Sequence, residues 1–209
     1  MKPRWKVCGV VDPEIAAAAV AAGADAIGFV FYPPSPRALT TQRAAEIART
    51  LPRETWRVGV FVDPDRDQLE AAIATVGLDF VQLSGDEPPA LADGLARHAF
   101  KALRLGADAT PAAAHEAAAD YPSCTLLVDT AVEGEYGGTG HPANWEAAAA
   151  LAGEHRLMLA GGLHAGNIAA AIEQVNPWAI DVSSGLETAP GQKDPNLIAE
   201  FGAVLESLR

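Results

Sequence analysis

Eight short apolar runs recur along the chain, and an alanine-rich segment with helical patterning follows each of them. Alternating strand-like and helix-like segments of this kind are typical of βαβ units, in which the strands run parallel. The apolar runs predict strands at 6–10, 26–31, 57–62, 80–83, 100–103, 125–129, 156–159 and 179–182. The segments that follow them predict helices at 13–22, 41–51, 66–76, 90–97, 111–119, 145–152, 165–175 and 195–208.

The length of the repeat favours a closed barrel over an open sheet. The 209 residues divide into eight units of about 26 residues, close to the minimum for a strand and a helix with short loops. A doubly wound open sheet would have fewer strands and a GxGxxG turn, which the sequence lacks. We therefore predict an α/β fold, a TIM barrel of eight parallel strands with outer helices, that forms a single domain over residues 1–209.

Composition limits the partners and the compartment. The net charge of −12 argues against nucleic acid or an anionic membrane as a partner, because both bind basic surfaces. The sequence has neither a signal-peptide pattern nor an apolar run long enough to span a membrane, so we expect a cytoplasmic protein. The two cysteines form no CxxC pair and provide no disulfide framework.

Two loops near the end of the sequence have the features of a phosphate site. Gly161-Gly162 follows the seventh predicted strand, and residues 183–185 (Ser-Ser-Gly) follow the eighth. Backbone N–H groups at such strand-to-helix junctions lack partners and lie at the positive end of a helix dipole, which suits an anion. Either loop by itself could be only a tight turn or a helix cap. Their positions after strands 7 and 8 match the phosphate site of many TIM barrels.

Polar or small residues also stand at the ends of other predicted strands, where barrel enzymes carry their chemistry. The positions are Cys8, 32–37, 62–63, 84–86, Arg104 and Asp129. These positions are therefore the candidates for a site at the carboxyl ends of the strands.

Eight motifs lie in order at these strand ends. They are KVCG at 6–9, GADAIGFVFYPPSPR at 23–37, VGVFVD at 58–63, VQLSGDE at 81–87, LLVDT and EYGGTG within 126–140, LAGGL at 159–163, and DVSSGLETAPGQKD at 181–194. Together they resemble the phosphoribosylanthranilate isomerase family over essentially the whole chain. The resemblance implies a barrel of tryptophan biosynthesis that converts N-(5-phosphoribosyl)anthranilate to the carboxyphenylamino-deoxyribulose phosphate by an Amadori rearrangement. It also implies no cofactor, no metal, and a monomer or homodimer.

The same resemblance assigns roles to individual residues. Cys8 corresponds to the family's base, Asp129 to the general acid, and Arg37 to the residue that contacts the anthranilate carboxylate. The phosphate is expected at Gly161, Gly162, Ser183, Ser184 and Gly185, and Asp181 points to the same interior as Ser183.

A free thiol is a poor base at neutral pH unless a cation favours the thiolate. Lys6 lies two residues before Cys8 and, by strand alternation, on the same inward face. We therefore hypothesise that the Lys6 ammonium helps Cys8 to ionise.

Other motifs predict no further chemistry. The glycine-rich segment 133–140 lacks the GK[ST] ending of a P-loop and is interpreted as a flap beside Asp129. Cys124 begins the sixth strand at the opposite end of the barrel from Cys8 and is expected to pack inertly. The histidines show no metal-ligand spacing, so His98, His115 and His155 are expected to be solvated.

Three motifs depart from the family pattern, at four positions in all. Ser84 replaces the histidine of QLHG, Val11 replaces a threonine, and Ala143-Asn144 replaces Phe-Asp. None of them removes the expected acid, base or phosphate loops. Two alternatives remain at this stage. A related phosphosugar aldose–ketose isomerase would use paired aspartates, and Cys8 counts against it. A phosphosugar-binding barrel without catalytic activity finds its support in Ser84 and Val11.

Overall fold

The computed structural model describes residues 3–95, 98–130 and 144–208 of the chain. Eight parallel strands pair in chain order and close into a barrel, β1 pairing with both β2 and β8. This confirms the predicted TIM barrel. The barrel strands are β1 (Arg4–Cys8), β2 (Ala26–Val30), β3 (Trp56–Phe61), β4 (Phe80–Leu83), β5 (Ala99–Leu105), β6 (Thr125–Thr130), β7 (Leu157–Leu159) and β8 (Ala179–Val182).

An α-helix follows each of these strands in the described part of the chain. The helices are α1 (Pro13–Ala21), α2 (Thr41–Ala48), α3 (Arg66–Val76), α4 (Pro89–Leu95), α5 (Pro111–Ala119), α6 (Trp145–Ala152), α7 (Ile168–Val175) and α8 (Pro195–Ser207). Between β8 and α8 the chain makes a 3₁₀ turn (Ser184–Leu186) and a small antiparallel hairpin of β9 (Glu187–Ala189) and β10 (Gln192–Lys193). None of the described helices has both the length and the apolar character of a membrane span.

The cap residues that precede prolines begin helices as predicted. The side chains of Asp12, Thr110 and Asp194 accept hydrogen bonds from backbone N–H groups in the first turns of α1, α5 and α8. Each satisfies a donor that the helix itself leaves unpaired, and the proline at the first helical position has no N–H to satisfy.

The observed elements differ from the predicted ones mainly in where they begin and end, and three of these differences have a local cause. The first strand was expected to run to residue 10 but ends at Cys8, because Gly9 adopts a left-handed conformation with φ +76°. The second helix ends at Ala48 rather than at 51, and the Thr50 hydroxyl donates to the Ile47 carbonyl beyond its end. The seventh helix begins at Ile168 rather than at 165, after a turn closed by Asn167.

The two largest clusters of buried apolar residues lie one on each side of the barrel wall. The larger cluster lies between the strands and the helices and includes the buried Trp5, Phe29 and Phe201. The smaller cluster fills the lower barrel interior around Phe100 and Met158. Above it, towards the carboxyl ends of the strands, the interior turns polar, with Lys6, Gln82, Ser84 and Asp181 buried. That polar layer forms the floor of the site.

Candidate active site

A pocket opens at the carboxyl ends of the barrel strands and collects residues from all around the rim. Its lining includes the predicted site residues Cys8, Arg37, Asp129, Gly161, Gly162, Asp181, Ser183 and Ser184. Tyr32, Gln82, Ser84 and Arg104 line it as well. The structure therefore brings the two candidate proton carriers, the candidate carboxylate-binding residue and both glycine- and serine-containing loops to one cavity.

Gly185 lies beside this pocket rather than in its lining. A side chain at this position would collide with the Leu163 carbonyl, which belongs to the loop after β7. The residue therefore allows the two loops after β7 and β8 to pack closely, and its expected place at the phosphate stays a prediction.

The loops after β7 and β8 are held by polar side chains. The Asn167 side chain donates to the Gly162 carbonyl at 2.9 Å and accepts from the His164 N–H at the same distance. Gly161 and Gly162 have φ angles of +84° and +59°, a conformation that a side chain would strain. The Ser183 hydroxyl donates to the Cys8 carbonyl at 3.1 Å, which ties the eighth-strand loop to the end of β1.

A hydrogen-bonded chain crosses the floor of the pocket. Lys6 Nζ lies 2.8 Å from Asp181 Oδ1 and 2.9 Å from Gln82 Oε1, and Gln82 Nε2 donates to the Ser84 hydroxyl at 3.2 Å. All four side chains are buried. Asp181, predicted to shape the site, is thus the counter-ion of Lys6. Ser84 accepts the hydrogen bond from the Gln82 amide and ends this chain of side chains.

Cys8 lies at the end of β1, directly above Lys6. Burial raises the pKa of the Cys8 thiol, the Asp181 carboxylate adds to the increase, and the Lys6 ammonium opposes it. For Lys6, burial alone would lower the pKa, but Asp181 and Cys8 outweigh it, so the pKa of this ammonium is raised. Lys6 therefore favours the thiolate as hypothesised, yet the pKa of Cys8 stays above that of a free thiol.

Gly28 makes room for this pair. A Cβ at this position on β2 would lie 2.7 Å from Lys6 Cε and 3.0 Å from Cys8 Sγ. The absence of a side chain on β2 therefore allows Lys6 and Cys8 to share the barrel interior.

Asp129 reaches the pocket from the opposite part of the barrel wall. It lies on β6, in register with Arg104 on β5, and is partly buried. Arg104 pairs with Asp86 of the loop after β4. The segment 133–140, interpreted from the sequence as a flap beside Asp129, lies outside the described residues.

Arg37 is buried and held by a carboxylate. Its Nε and Nη2 donate to Glu187 Oε1 and Oε2 at 2.8 and 2.7 Å, and Lys193 Nζ donates to Glu187 Oε1 at 2.6 Å. Burial alone would raise the pKa of Glu187, but Arg37 and Lys193 outweigh it and hold the pKa at about 2. Burial lowers the pKa of Lys193, against the attraction of Glu187.

Sequence reasoning missed Glu187 and Lys193 as members of the site. Both lie in the DVSSGLETAPGQKD motif, on either side of a Pro-Gly turn. Opposite charges on the two sides of such a turn indicate a hairpin in which the two side chains form an ion pair.

A further buried ion pair supports the loop after β4, and sequence reasoning missed this pair too. Lys101 Nζ lies 2.6 Å from Glu87 Oε2, and Glu87 Oε1 accepts from the Gly85 and Asp63 N–H groups at 2.9 and 3.1 Å. These bonds fix the loop that carries Ser84.

Cys124, His98, His115 and His155 do not line the pocket. Cys124 is half-buried and free, and burial raises the pKa of its thiol. His115 and His155, expected to be solvated, lie with Glu154 outside the barrel, where one ligand atom from each falls within 4.8 Å of the others. Their side chains remain partly or largely exposed, and the expectation of no metal stays a prediction.

The closed barrel and the position of its pocket define the class of protein: this is a TIM-barrel protein with its candidate site at the carboxyl ends of the strands. Comparison with known proteins identifies the particular family. The model of the family described as N-(5'phosphoribosyl)anthranilate (PRA) isomerase matches residues 5–203, and the chain belongs to that family.

Individual relatives agree with this result over nearly their full length. The N-(5'-phosphoribosyl)anthranilate isomerase of Pelobacter propionicus is 43% identical over 204 residues, which covers 98% of this chain and 96% of the relative. The crystal structure of phosphoribosyl anthranilate isomerase from Thermotoga maritima superimposes with a TM-score of 0.88 at 36% identity, covering 98% of this chain and 99% of that one. A crystal structure of the enzyme in complex with reduced 1-(o-carboxyphenylamino)-1-deoxyribulose 5-phosphate gives 0.83 at 35% identity, with 98% and 99% covered.

Proposed function

We propose that this chain converts N-(5-phosphoribosyl)anthranilate to 1-(2-carboxyphenylamino)-1-deoxyribulose 5-phosphate, with Cys8 as the base and Asp129 as the acid. One observation carries the assignment of roles. The thiol on β1 and the carboxyl group on β6 line one pocket from different strands, and the loops after β7 and β8 line that pocket too. An Amadori rearrangement needs this arrangement, because one proton is added to the ring oxygen and another is removed from C2, two atoms that are both bonded to C1 of a phosphorylated sugar.

The first step opens the ribose ring. Asp129 donates its proton to the ring oxygen while the C1–O bond breaks, and the nitrogen lone pair forms a C=N bond to C1. The product is an iminium cation with a free hydroxyl at C4. Protonation of the leaving oxygen avoids an unstable alkoxide, which is the usual contribution of a general acid.

The second step moves the proton from C2. Cys8 removes the C2 proton, the C–H electron pair becomes a C1=C2 double bond, and the iminium electrons return to nitrogen. The resulting enol gives its hydroxyl proton to the Asp129 carboxylate and takes a proton at C1 from the Cys8 thiol, which gives the C2 ketone and restores both side chains to their starting protonation states. Substrate and product are isomers, so the sequence needs no oxidant and no further reactant.

The electrostatics of the pocket floor suit this second step. A buried thiolate with a raised pKa is a strong base, and the Lys6 ammonium beside it supplies a counter-charge. Asp181 and Gln82 hold that ammonium in place at 2.8 and 2.9 Å. The role we propose for Asp181 is therefore to orient Lys6.

Substrate binding divides between two sides of the pocket. Arg37 is proposed to bind the anthranilate carboxylate, since a guanidinium matches the planar geometry of a carboxylate. Gly161, Gly162, Ser183 and Ser184 are proposed to bind the phosphate through backbone N–H and hydroxyl groups. Gly185 contributes by letting the loops after β7 and β8 pack against each other.

The test is turnover of freshly generated phosphoribosylanthranilate by the purified protein, followed through the loss of substrate fluorescence. We expect conversion to the ketose, whose identity chromatography against the authentic product establishes. A protein that binds the reduced product analogue but does not turn the substrate over would instead be a phosphosugar-binding barrel without catalytic activity.

A further inference from the structure

We propose that Glu187 is a positioning residue that fixes the guanidinium of Arg37 for recognition of the substrate's aromatic carboxylate, and that Lys193 supplies the charge that makes this possible. The inference rests on the proposed function, because it takes Arg37 as the residue that meets that carboxylate. It adds two residues from an element, the hairpin of β9 and β10, that has no assigned role.

The Glu187 carboxylate is occupied on both oxygens. Oε1 accepts from Arg37 Nε and Lys193 Nζ, while Oε2 accepts from Arg37 Nη2 and, at 3.3 Å, from the Gly191 N–H. The paired bonds to one edge of the guanidinium fix its plane as well as its position. The Glu187 and Lys193 side chains are 3% and 1% exposed, so solvent does little to weaken the bonds between them.

The hairpin also contacts the loop that carries Arg37. A side chain at Gly191, where φ is +81°, would lie 2.7 Å from the Pro36 carbonyl oxygen. Behind Arg37, a Cβ at Gly9 would lie 2.5 Å from Arg37 Cδ. The aliphatic part of the arginine therefore lies against the turn after β1, while the guanidinium is bound by the hairpin. Both ends of the side chain are constrained.

The net charge of the cluster formed by Arg37, Glu187 and Lys193 explains the role of Lys193. A glutamate that pairs with an arginine cancels its charge and would weaken its attraction for a substrate anion. With Lys193 bound to the same carboxylate, the three side chains together keep one net positive charge. Lys193 also donates to the Ser183 carbonyl at 3.3 Å, which connects the cluster to the loop after β8. The result is a rigid cation at the pocket wall.

The test compares two inhibitors that differ only in the ring carboxylate: reduced carboxyphenylamino-deoxyribulose phosphate, and its phenylamino analogue without the carboxylate. Wild type should bind the first at least about tenfold more tightly, as expected for a charge-assisted pair. In Glu187→Gln that preference should fall to about twofold or less, while affinity for the phenylamino analogue stays within about twofold of wild type. KM should rise more than kcat falls, because Cys8 and Asp129 are untouched. Glu200→Gln, an exposed change on α8, is the matched control.

A double variant separates positioning from charge. Glu187→Gln with Lys193→Met leaves Arg37 with its positive charge but without the carboxylate that fixes its guanidinium. If Glu187 acts by positioning Arg37, the double variant should still show no preference for the inhibitor that carries the carboxylate. Recovery of the wild-type preference would overturn the proposal. Glu187→Asp, which keeps the charge, should restore part of the preference and covers the case in which Glu187→Gln does not fold.

The outcomes also separate this proposal from the proposed function. Suppose that wild type prefers the inhibitor with the carboxylate, that Arg37→Met loses this preference and that Glu187→Gln keeps it. The positioning role of Glu187 is then wrong, and the role of Arg37 stands. If wild type shows no preference between the two inhibitors, the proposed role of Arg37 is wrong, and the positioning role of Glu187 is wrong with it. Turnover by wild type tests the isomerase activity separately in both cases.

Discussion

At the scale of single residues, Cys8 is subject to opposing influences. Burial raises the pKa of its thiol, and the ammonium of Lys6 lowers it by a smaller amount. The Cys8 thiolate is therefore scarce in the free enzyme, but it is a strong base once it has formed. An inert buried cysteine would have no need of a buried ammonium beside it.

This balance predicts the pH dependence of activity. Cys8 must lose its proton to act as a base and Asp129 must hold its proton to act as an acid, so kcat/KM should follow a bell-shaped pH profile. The pKa of the Cys8 thiol lies above the ordinary cysteine value, so the limb of the profile set by Cys8 should lie above pH 8.5, roughly where a free thiol titrates. Lys6→Met should move that limb to higher pH. Profiles of kcat/KM measure both effects, and coincident profiles for wild type and Lys6→Met would count against the role of the ammonium.

The interior glycine on β2 gives a second prediction. Gly28→Ala places a methyl group against Lys6 Cε and Cys8 Sγ, and overpacking of this kind costs about 1–3 kcal/mol of unfolding free energy. Activity should fall as well, because the methyl group displaces the base. Gly153→Ala is the control, since the nearest atom to its Cβ is 3.6 Å away and its φ of −69° suits alanine. Urea unfolding compares the two, and equal losses would contradict the packing argument.

At the scale of secondary-structure elements, loops at the rim depend on buried charges in the strands beneath them. The loop after β4 is fixed by Glu87, which binds Lys101 on β5 and two backbone N–H groups. Strand patterning predicted both strands, since their apolar runs are clear in the sequence. It did not predict the ion pair, because a lysine in the middle of an apolar run gives no indication of its partner.

Breaking that pair should destabilise the protein strongly. Lys101→Met leaves the Glu87 carboxylate buried without its cation, which costs about 3–5 kcal/mol of unfolding free energy. Arg43→Met removes an exposed pair with Glu46 and should cost no more than about 1 kcal/mol. Urea unfolding at pH 7 measures the difference. A loss of similar size in both variants would mean that the Glu87–Lys101 pair adds nothing beyond a surface contact.

At the scale of the whole molecule, the sequence predicts the barrel and its rim well, because strand order and alternation decide which residues meet there. Cys8, Asp129 and the loops after β7 and β8 fall at strand ends and therefore reach one pocket. The partners of these residues depend on tertiary contacts. Arg37 and Glu187 are 150 positions apart, and Lys6 and Asp181 are 175 apart. Their pairing follows only once the barrel has closed.

The depressed pKa of Glu187 predicts a contribution to acid stability. Its folded-state pKa is about 2, below the unfolded value, so the contribution is complete above about pH 4.5 and is lost as pH falls towards 2. Over that window this one carboxylate adds up to about 1.4 kcal/mol per pH unit to the slope of stability against pH. Urea unfolding between pH 2 and pH 5 should show a shallower slope for Glu187→Gln than for wild type. Glu200→Gln should keep the wild-type slope, and a wild-type slope in Glu187→Gln would contradict the buried pairing.

The acid–base assignment is tested most directly by turnover of phosphoribosylanthranilate in wild type, Cys8→Ser and Asp129→Asn, with unfolding curves to establish that all three fold. Both substitutions keep the size of the side chain and remove the proton carrier, so activity should fall at least about a hundredfold in each variant. Variants that fold and retain wild-type rates would show that the isomerase uses other groups to carry its protons.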